Sequence, residues 1–316
     1  MKIVILDKNT TTSNNDISFD KFNDFGDVDV YENLVTPEQI IDACQNTNII
    51  ILNKIQMNKE LIAKLPASVK MIAITATGYD NVDINAAKEK GIIVCNTPGY
   101  GTKAVAQLTM QMILSLSFNI KRQITHMDSN GWDKKVALAL PMQEIYGKTL
   151  GIVGLGTIGQ EVAKIAQTFG MKIIGYNRTT LHLDNVEQVS LNEIAIRSDF
   201  TSLNLALNED THQIINKNFI SQMKPTSFLI NTARGGLVDE LALIDALENN
   251  KITGAGLDVL TKEPPAIDNP LLKMDNVILT PHIAWAPVET RQRCIDIVYD
   301  NITKFIAGTP QFVINS

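Results

Sequence analysis

Leu150-Gly151-Ile152-Val153-Gly154-Leu155-Gly156-Thr157-Ile158-Gly159 is an apolar run that ends in Gly-x-Gly-x-x-Gly. The glycine pattern alone is weak, because glycine-rich turns arise for many reasons. Its flanks make it specific: a strand-like run precedes it and a helical pattern over 161–169 follows, the context of a dinucleotide-binding βα turn. Gly154 then permits the tight turn, Gly156 lets backbone approach a pyrophosphate, and Gly159 lets helix pack on strand. The helix start at Thr157 and Ile158 turns backbone N–H groups toward the negative charge.

Working outward from that turn, short apolar strands alternate with helical patterns, as in parallel α/β sheets. The second half reads as six strands at 149–153, 172–176, 200–204, 228–231, 254–258 and 277–280, the complement of a doubly wound dinucleotide domain. The first half reads as strands at 3–6, 49–52, 71–75 and 92–95, with helices at 37–44 and 85–90 between them. Asn96-Thr97-Pro98-Gly99-Tyr100-Gly101 punctuates the chain with turn residues, and a long helix over 102–121 follows. The tail, 287–308, is helical, with Ile295, Val298, Ile302, Phe305 and Ile306 on its apolar stripe, and is expected to pack back onto the first half. The expectation is an α/β protein of two Rossmann-like lobes, each a doubly wound parallel sheet, with an active-site cleft between them. Residues 1–98 plus 287–316 form a discontinuous substrate-binding domain and 99–286 the dinucleotide-binding domain.

A chain of 316 residues suits two such domains. The net charge of −6 and the absence of any Lys/Arg block argue against a nucleic-acid partner, so an anionic substrate needs a local basic pocket. Cys44, Cys95 and Cys294 are scattered, without a C-x-x-C pair, which argues against a zinc motif or disulfide framework. No run is long enough for a signal peptide core or a membrane span. A cytoplasmic, metal-free enzyme is the expectation.

Asn177 stands where an acidic residue ordinarily holds the adenosine ribose hydroxyls, and Arg178-Thr179-Thr180 follow. Without the carboxylate, a 2′-phosphate meets no repulsion, and Arg178 can hold it through two hydrogen bonds. The reading leans to NADP(H). The alternative is an NAD enzyme that tolerates Asn177 and stacks Arg178 on the adenine.

Of the four histidines, His126, His182 and His212 lie in polar, loop-like stretches. His282 follows Pro281 at a strand's carboxyl end, where open α/β sheets place ligands, and precedes apolar Ile283-Ala284-Trp285. A proton-transfer residue and a hydrogen-bonded core histidine both fit that position. Two neighbours favour the first. Arg234 lies past another strand end, in Asn231-Thr232-Ala233-Arg234-Gly235-Gly236, where a guanidinium can clamp a carboxylate and polarise the adjacent carbonyl. Glu263 lies beyond a third, where its carboxylate can orient His282 and stabilise its imidazolium.

Taken together these stretches resemble the D-isomer-specific 2-hydroxyacid dehydrogenase family almost end to end. The resemblance begins at Ala76-Thr77-Gly78-Tyr79-Asp80-Asn81-Val82-Asp83 and continues through Asn96–Tyr100, the glycine turn, 231–236, 254–258 and Pro281–Trp285. Within the family it is most similar to the glycerate dehydrogenase or hydroxypyruvate reductase branch. The resemblance implies Arg234, Glu263 and His282 as the catalytic residues. It implies Asp258 on the nicotinamide carboxamide, Thr232 and Ala233 in the cofactor wall, and amides at Ala76, Thr77 and Gly78 on the substrate carboxylate. Leu203-Asn204-Leu205-Ala206-Leu207 departs from it, since many members carry His and Pro there.

The implied reaction moves a hydride between NAD(P)H and C2 of a small 2-oxo acid, giving the D-2-hydroxy acid. Asn53, Lys54 and Trp285 lie where the choice among hydroxypyruvate, glyoxylate, lactate-type and branched substrates is expected to be made. A sensor of another class, binding nucleotide without turnover, would use the same fold. The apolar helix after Thr102 is the expected seat of a homodimer, its alternative being burial in its own lobe.

Overall fold

The computed structural model describes residues 1–316, the side chains of Val136 and Ala137 excepted. The chain divides into two compact units, Met1–Gly101 with Ala286–Ser316, and Thr102–Trp285. In the first, β1 (Lys2–Ile5), β2 (Asp27–Val30), β3 (Ile49–Leu52), β4 (Met71–Ile74) and β5 (Ile93–Cys95) form a parallel sheet in the order β2-β1-β3-β4-β5. Alternation sends Ile3 and Ile5 to one core and Val4 and Leu6 to the other, so β1, an interior strand, is covered on both faces. The Val288–Ile306 helix closes one face with Ile295, Val298 and Ile302. It is anchored by Arg291, which donates to Asp16 through Nη1 and Nη2 and to the Ala286 carbonyl through Nε. The guanidinium holds the Asp16 carboxyl well below the usual carboxylate range.

The second unit carries β6 (Thr149–Val153), β7 (Lys172–Tyr176), β8 (Val186–Gln188), β9 (Phe200–Leu203), β10 (Phe228–Asn231), β11 (Gly254–Leu257) and β12 (Val277–Leu279), all parallel. Their order is β12-β11-β10-β9-β6-β7-β8. The order reverses between β6 and β9, and the glycine turn leaves β6 at that point. Doubly wound sheets bind ligands beyond the carboxyl ends of their strands at such a switch.

The first sheet gains an unexpected edge strand, β2, and three expectations for the second unit change. The six strands of this unit become seven by the addition of β8, whose Val-Glu-Gln has no apolar run to announce it. The expected 102–121 helix stops at Ser117, Asn119 turns the chain through a left-handed conformation (φ 54°), and a second helix runs Ile120–Asn130. His126 therefore lies on a helix, not in a loop. Among the described residues no helix is long and apolar enough to cross a membrane. All three cysteines are free and buried, and burial pushes Cys44 and Cys294 up to about 12.

Candidate active site

The glycine turn has the close backbone approach and open space that a phosphate cradle needs. Gly154 has φ 101°, and a Cβ there would lie 2.7 Å from the Asn204 carbonyl oxygen. At Gly159 a Cβ would lie 2.0 Å from the Gly154 carbonyl oxygen, so the helix meets its own turn too closely for any side chain. Gly156 is different: a Cβ there meets nothing within 4 Å, leaving open space over the turn. The helix Thr157–Thr168 begins at Gly156 with no side-chain cap. The N–H groups of Gly156, Thr157 and Ile158 find no acceptor among the described residues. Uncapped amides at a helix start, facing space, fit a pyrophosphate.

At the end of β7, Asn177 accepts from Leu155 N (3.4 Å) and donates to the Thr179 carbonyl and hydroxyl. Its amide shapes the loop that presents Arg178. The Arg178 side chain is 84% exposed and faces Asp210 at 3.6 Å, a solvated pair that holds it weakly.

Three strand ends of the same sheet supply the chemical groups. After β10, Asn231 ties the turn from both sides, donating to the Arg234 carbonyl (2.8 Å) and accepting from Ala233 N (3.0 Å). Thr232 is fixed by the Thr109 hydroxyl at 2.8 Å. Arg234 is half-buried and donates to the Ala233 carbonyl; among the described residues no carboxylate pairs with it. A guanidinium without a carboxylate partner at a strand end can seat an anion. Gly235 follows, and a Cβ on it would lie 2.0 Å from the Leu260 carbonyl carbon, so this loop touches the one after β11.

That loop carries Glu263. One carboxylate oxygen accepts from Leu260 N (3.1 Å) and the other lies 2.7 Å from His282 Nδ1. The carboxylate thereby selects the tautomer with hydrogen on Nδ1 and leaves Nε2 for a reacting group. His282 and Glu263 are 32% and 37% exposed, so solvent screens the pair and its contribution is orientation more than stability. His282 itself takes φ 55°, a conformation that surrounding structure must enforce in a non-glycine residue.

The resemblance implies a nicotinamide carboxamide on Asp258. In the structure this side chain is 1% exposed, and its oxygens accept from the Thr280 hydroxyl, Ile283 N and Ala284 N. Trp285, half-buried, ends the unit just beyond them. Thr280 and Asn231 carry no signal in the sequence beyond their places, Asn231 closing β10 and Thr280 following β12.

In the first unit, Ala76, Thr77 and Gly78 follow β4, and their N–H groups find no acceptor among the described residues. Asn53 departs from expectation. It is 6% exposed, its side chain donates to the Thr10 carbonyl, and its own amide, with those of Lys54 and Ile55, is held by Asp7. Its side chain shapes the loop, and the exposed member is Lys54. His182 and His212 are exposed.

Comparison with known proteins agrees with this geometry. Residues 110–284 match the family described as D-isomer specific 2-hydroxyacid dehydrogenase, NAD binding domain. The chain is 37% identical to a hydroxypyruvate reductase of Blautia hydrogenotrophica, covering 100% of both proteins. It is also 37% identical to a glycerate dehydrogenase of Methylorubrum extorquens, over 100% of this chain and 99% of that protein. Among solved structures, an acyclic imino acid reductase in complex with NADPH and D-Arg superposes with a TM-score of 0.90. It is 36% identical, over 99% of this chain and 100% of that one.

Proposed function

This chain belongs to the D-isomer specific 2-hydroxyacid dehydrogenase family, and from that premise we propose that it is a hydroxypyruvate and glyoxylate reductase that favours NADPH. The observation that carries the reading is the His282–Glu263 contact at 2.7 Å, on the same row of strand ends as the unpaired Arg234. The names of the full-length relatives support the substrate class.

A bound nicotinamide supplies the hydride for C2. The chain's own residues do the rest. Arg234 binds the carboxylate of the 2-oxo acid and polarises the neighbouring carbonyl, so charge developing on that oxygen meets a fixed donor. His282 donates the Nε2 proton to the developing alkoxide, and Glu263 holds the ring and balances the imidazolium. In the first unit, the amides of Ala76, Thr77 and Gly78, without an acceptor among the described residues, offer an anion three consecutive donors. Trp285, which ends its unit just beyond His282, limits the size accepted at C3. On the cofactor side, Gly156, Thr157 and Ile158 hold the pyrophosphate, Thr232 and Ala233 line the cofactor, and Arg178 takes the 2′-phosphate.

The test follows NADPH and NADH absorbance in separate reactions with hydroxypyruvate and glyoxylate. NADPH is expected to give the higher kcat/KM. Arg178→Ala should cost about tenfold with NADPH, the scale of one exposed charged hydrogen bond, and little with NADH. Exclusive NADH use would refute the Arg178 assignment and keep the enzyme. Tight binding without turnover of any 2-oxo acid would favour a sensor.

We place the homodimer on a different segment from the helix after Thr102. That helix buries Ala104, Ala106, Met110, Met112, Ile113 and Leu116 within its own unit. A run of large exposed apolar residues follows it, among them Phe118, Ile124, Met127, Trp132 (80% exposed) and Tyr146. A run of this kind is costly to leave in water, and a second copy of the same surface is the simplest cover. Sedimentation should show a dimer, and Trp132→Asp should shift it toward monomer at micromolar concentration. A monomeric parent protein would refute the placement.

A further inference from the structure

His282 reaches Glu263 from a loop that is held in an unfavourable backbone shape, and the fold shows what holds it. His282 N donates to the Asp258 carbonyl (2.8 Å) and to the Thr280 carbonyl (3.0 Å). The Asp258 carboxylate grips both flanks of the histidine: Oδ1 accepts from Thr280 Oγ1 (2.5 Å) and Ile283 N (2.8 Å), and Oδ2 accepts from Ala284 N (2.9 Å). A carboxylate this deeply buried depends on every donor it has. Thr280 is the residue that closes the strap. Its hydroxyl fixes the carboxylate, its carbonyl receives the His282 amide, and its own N–H continues the sheet to the Leu257 carbonyl at 3.0 Å.

We infer that Thr280 is a positioning residue for proton transfer at His282, acting through the Asp258 carboxylate on the loop that aims the imidazole. The inference rests on His282 being the acid of the proposed reaction. Thr280 touches neither substrate nor cofactor in this account. Its removal leaves Arg234, Glu263 and the phosphate cradle in place and loosens the geometry of one proton donor. Small displacements of a reacting group are enough to slow a reaction by an order of magnitude or more.

The experiment compares Thr280→Val, which keeps the shape and removes the hydroxyl, with Thr280→Ser, which keeps the hydroxyl. With NADPH and hydroxypyruvate, the Val variant is expected to lose about tenfold or more in kcat, with the Kd for NADPH changed by less than about twofold. The Ser variant should recover most of that loss. The inference is overturned if Val keeps kcat within about twofold, or if Ser falls as far as Val. It is also overturned if kcat, cofactor affinity and melting temperature fall together in Val, which is a structural role alone. Should Val fail to fold, Thr280→Ala is judged by the same criteria. His282→Gln is measured beside them. If that variant keeps its turnover, the assignment of the acid has failed; if it is inactive while Val is unaffected, only the role of Thr280 has failed.

Discussion

His282→Gln is expected to lower turnover of hydroxypyruvate by about 10²- to 10⁴-fold, the usual contribution of a positioned general acid. Binding of NADPH should change little. Glu263 already holds Nδ1 at 2.7 Å, which leaves the other ring nitrogen for the proposed proton transfer. Glutamine can keep a hydrogen bond to Glu263 but carries no proton that it can give to an alkoxide. The phosphate cradle lies on the β6 turn and uses amides of Gly156, Thr157 and Ile158, none of which the substitution disturbs. Turnover and affinity should therefore separate. Stopped-flow reduction with saturating NADPH gives the first, and a fluorescence titration of NADPH gives the second. A variant within about tenfold of the parent in turnover would remove His282 from the reaction. Loss of both quantities together would mean that the loop, not the proton, had been damaged.

Much of this site was legible because its chemistry sits on strand ends that the sequence marks clearly. Apolar runs stop at Asn231, Leu257 and Leu279, and Arg234, Glu263 and His282 each follow within a few residues. The fully buried strands were read for the same reason: a parallel strand covered on both faces is continuously apolar. Two of the four edge strands escape that logic, whereas β5 and β12 keep apolar runs and are read from them. β2 is Asp-Val-Asp-Val and β8 is Val-Glu-Gln, each paired on one side and partly solvated, so neither shows an apolar run. The break at Asn119 was hidden because apolar spacing continues through Phe118 and Ile120. What interrupts the helix is a left-handed asparagine, not a change of composition.

The supporting residues were harder still. Nothing in the sequence separates an Asn53 that meets substrate from one that closes a loop onto Thr10. That distinction depends on Asp7, 46 residues away, taking the loop amides. Asp258 likewise reads as a polar residue at the end of a strand, and it stands there, next after β11. Its partners, however, are the hydroxyl and amides of the β12 loop, a long-range choice that spacing does not encode. Hydrogen-bond partners across strand ends are set by tertiary packing, so sequence locates the groups and structure shows what each one touches.

The largest loss of catalytic efficiency among charge-preserving substitutions is expected at Arg234. Arg234→Lys keeps one positive charge, yet kcat/KM should fall by about 10²-fold or more, the cost of removing a donor aimed at developing charge. A guanidinium presents a planar fork that reaches two acceptors at once, whereas an ammonium acts from a single point. The backbone at Arg234 is extended and tied by Asn231, so the turn cannot slide forward to shorten the lysine's reach. Forward movement is blocked at the next residue too, because Gly235 already lies against the Leu260 backbone. The lysine therefore has to act from the parent's main-chain position. If the guanidinium supplied only long-range attraction for an anion, lysine would retain most of kcat/KM and raised salt would weaken both proteins equally. If it clamps the carboxylate and polarises the carbonyl together, kcat falls along with kcat/KM, and a change in KM alone is not enough. Steady-state kinetics of the Lys variant at two salt concentrations separates these outcomes, and near-parental efficiency would show that Arg234 does not clamp the substrate.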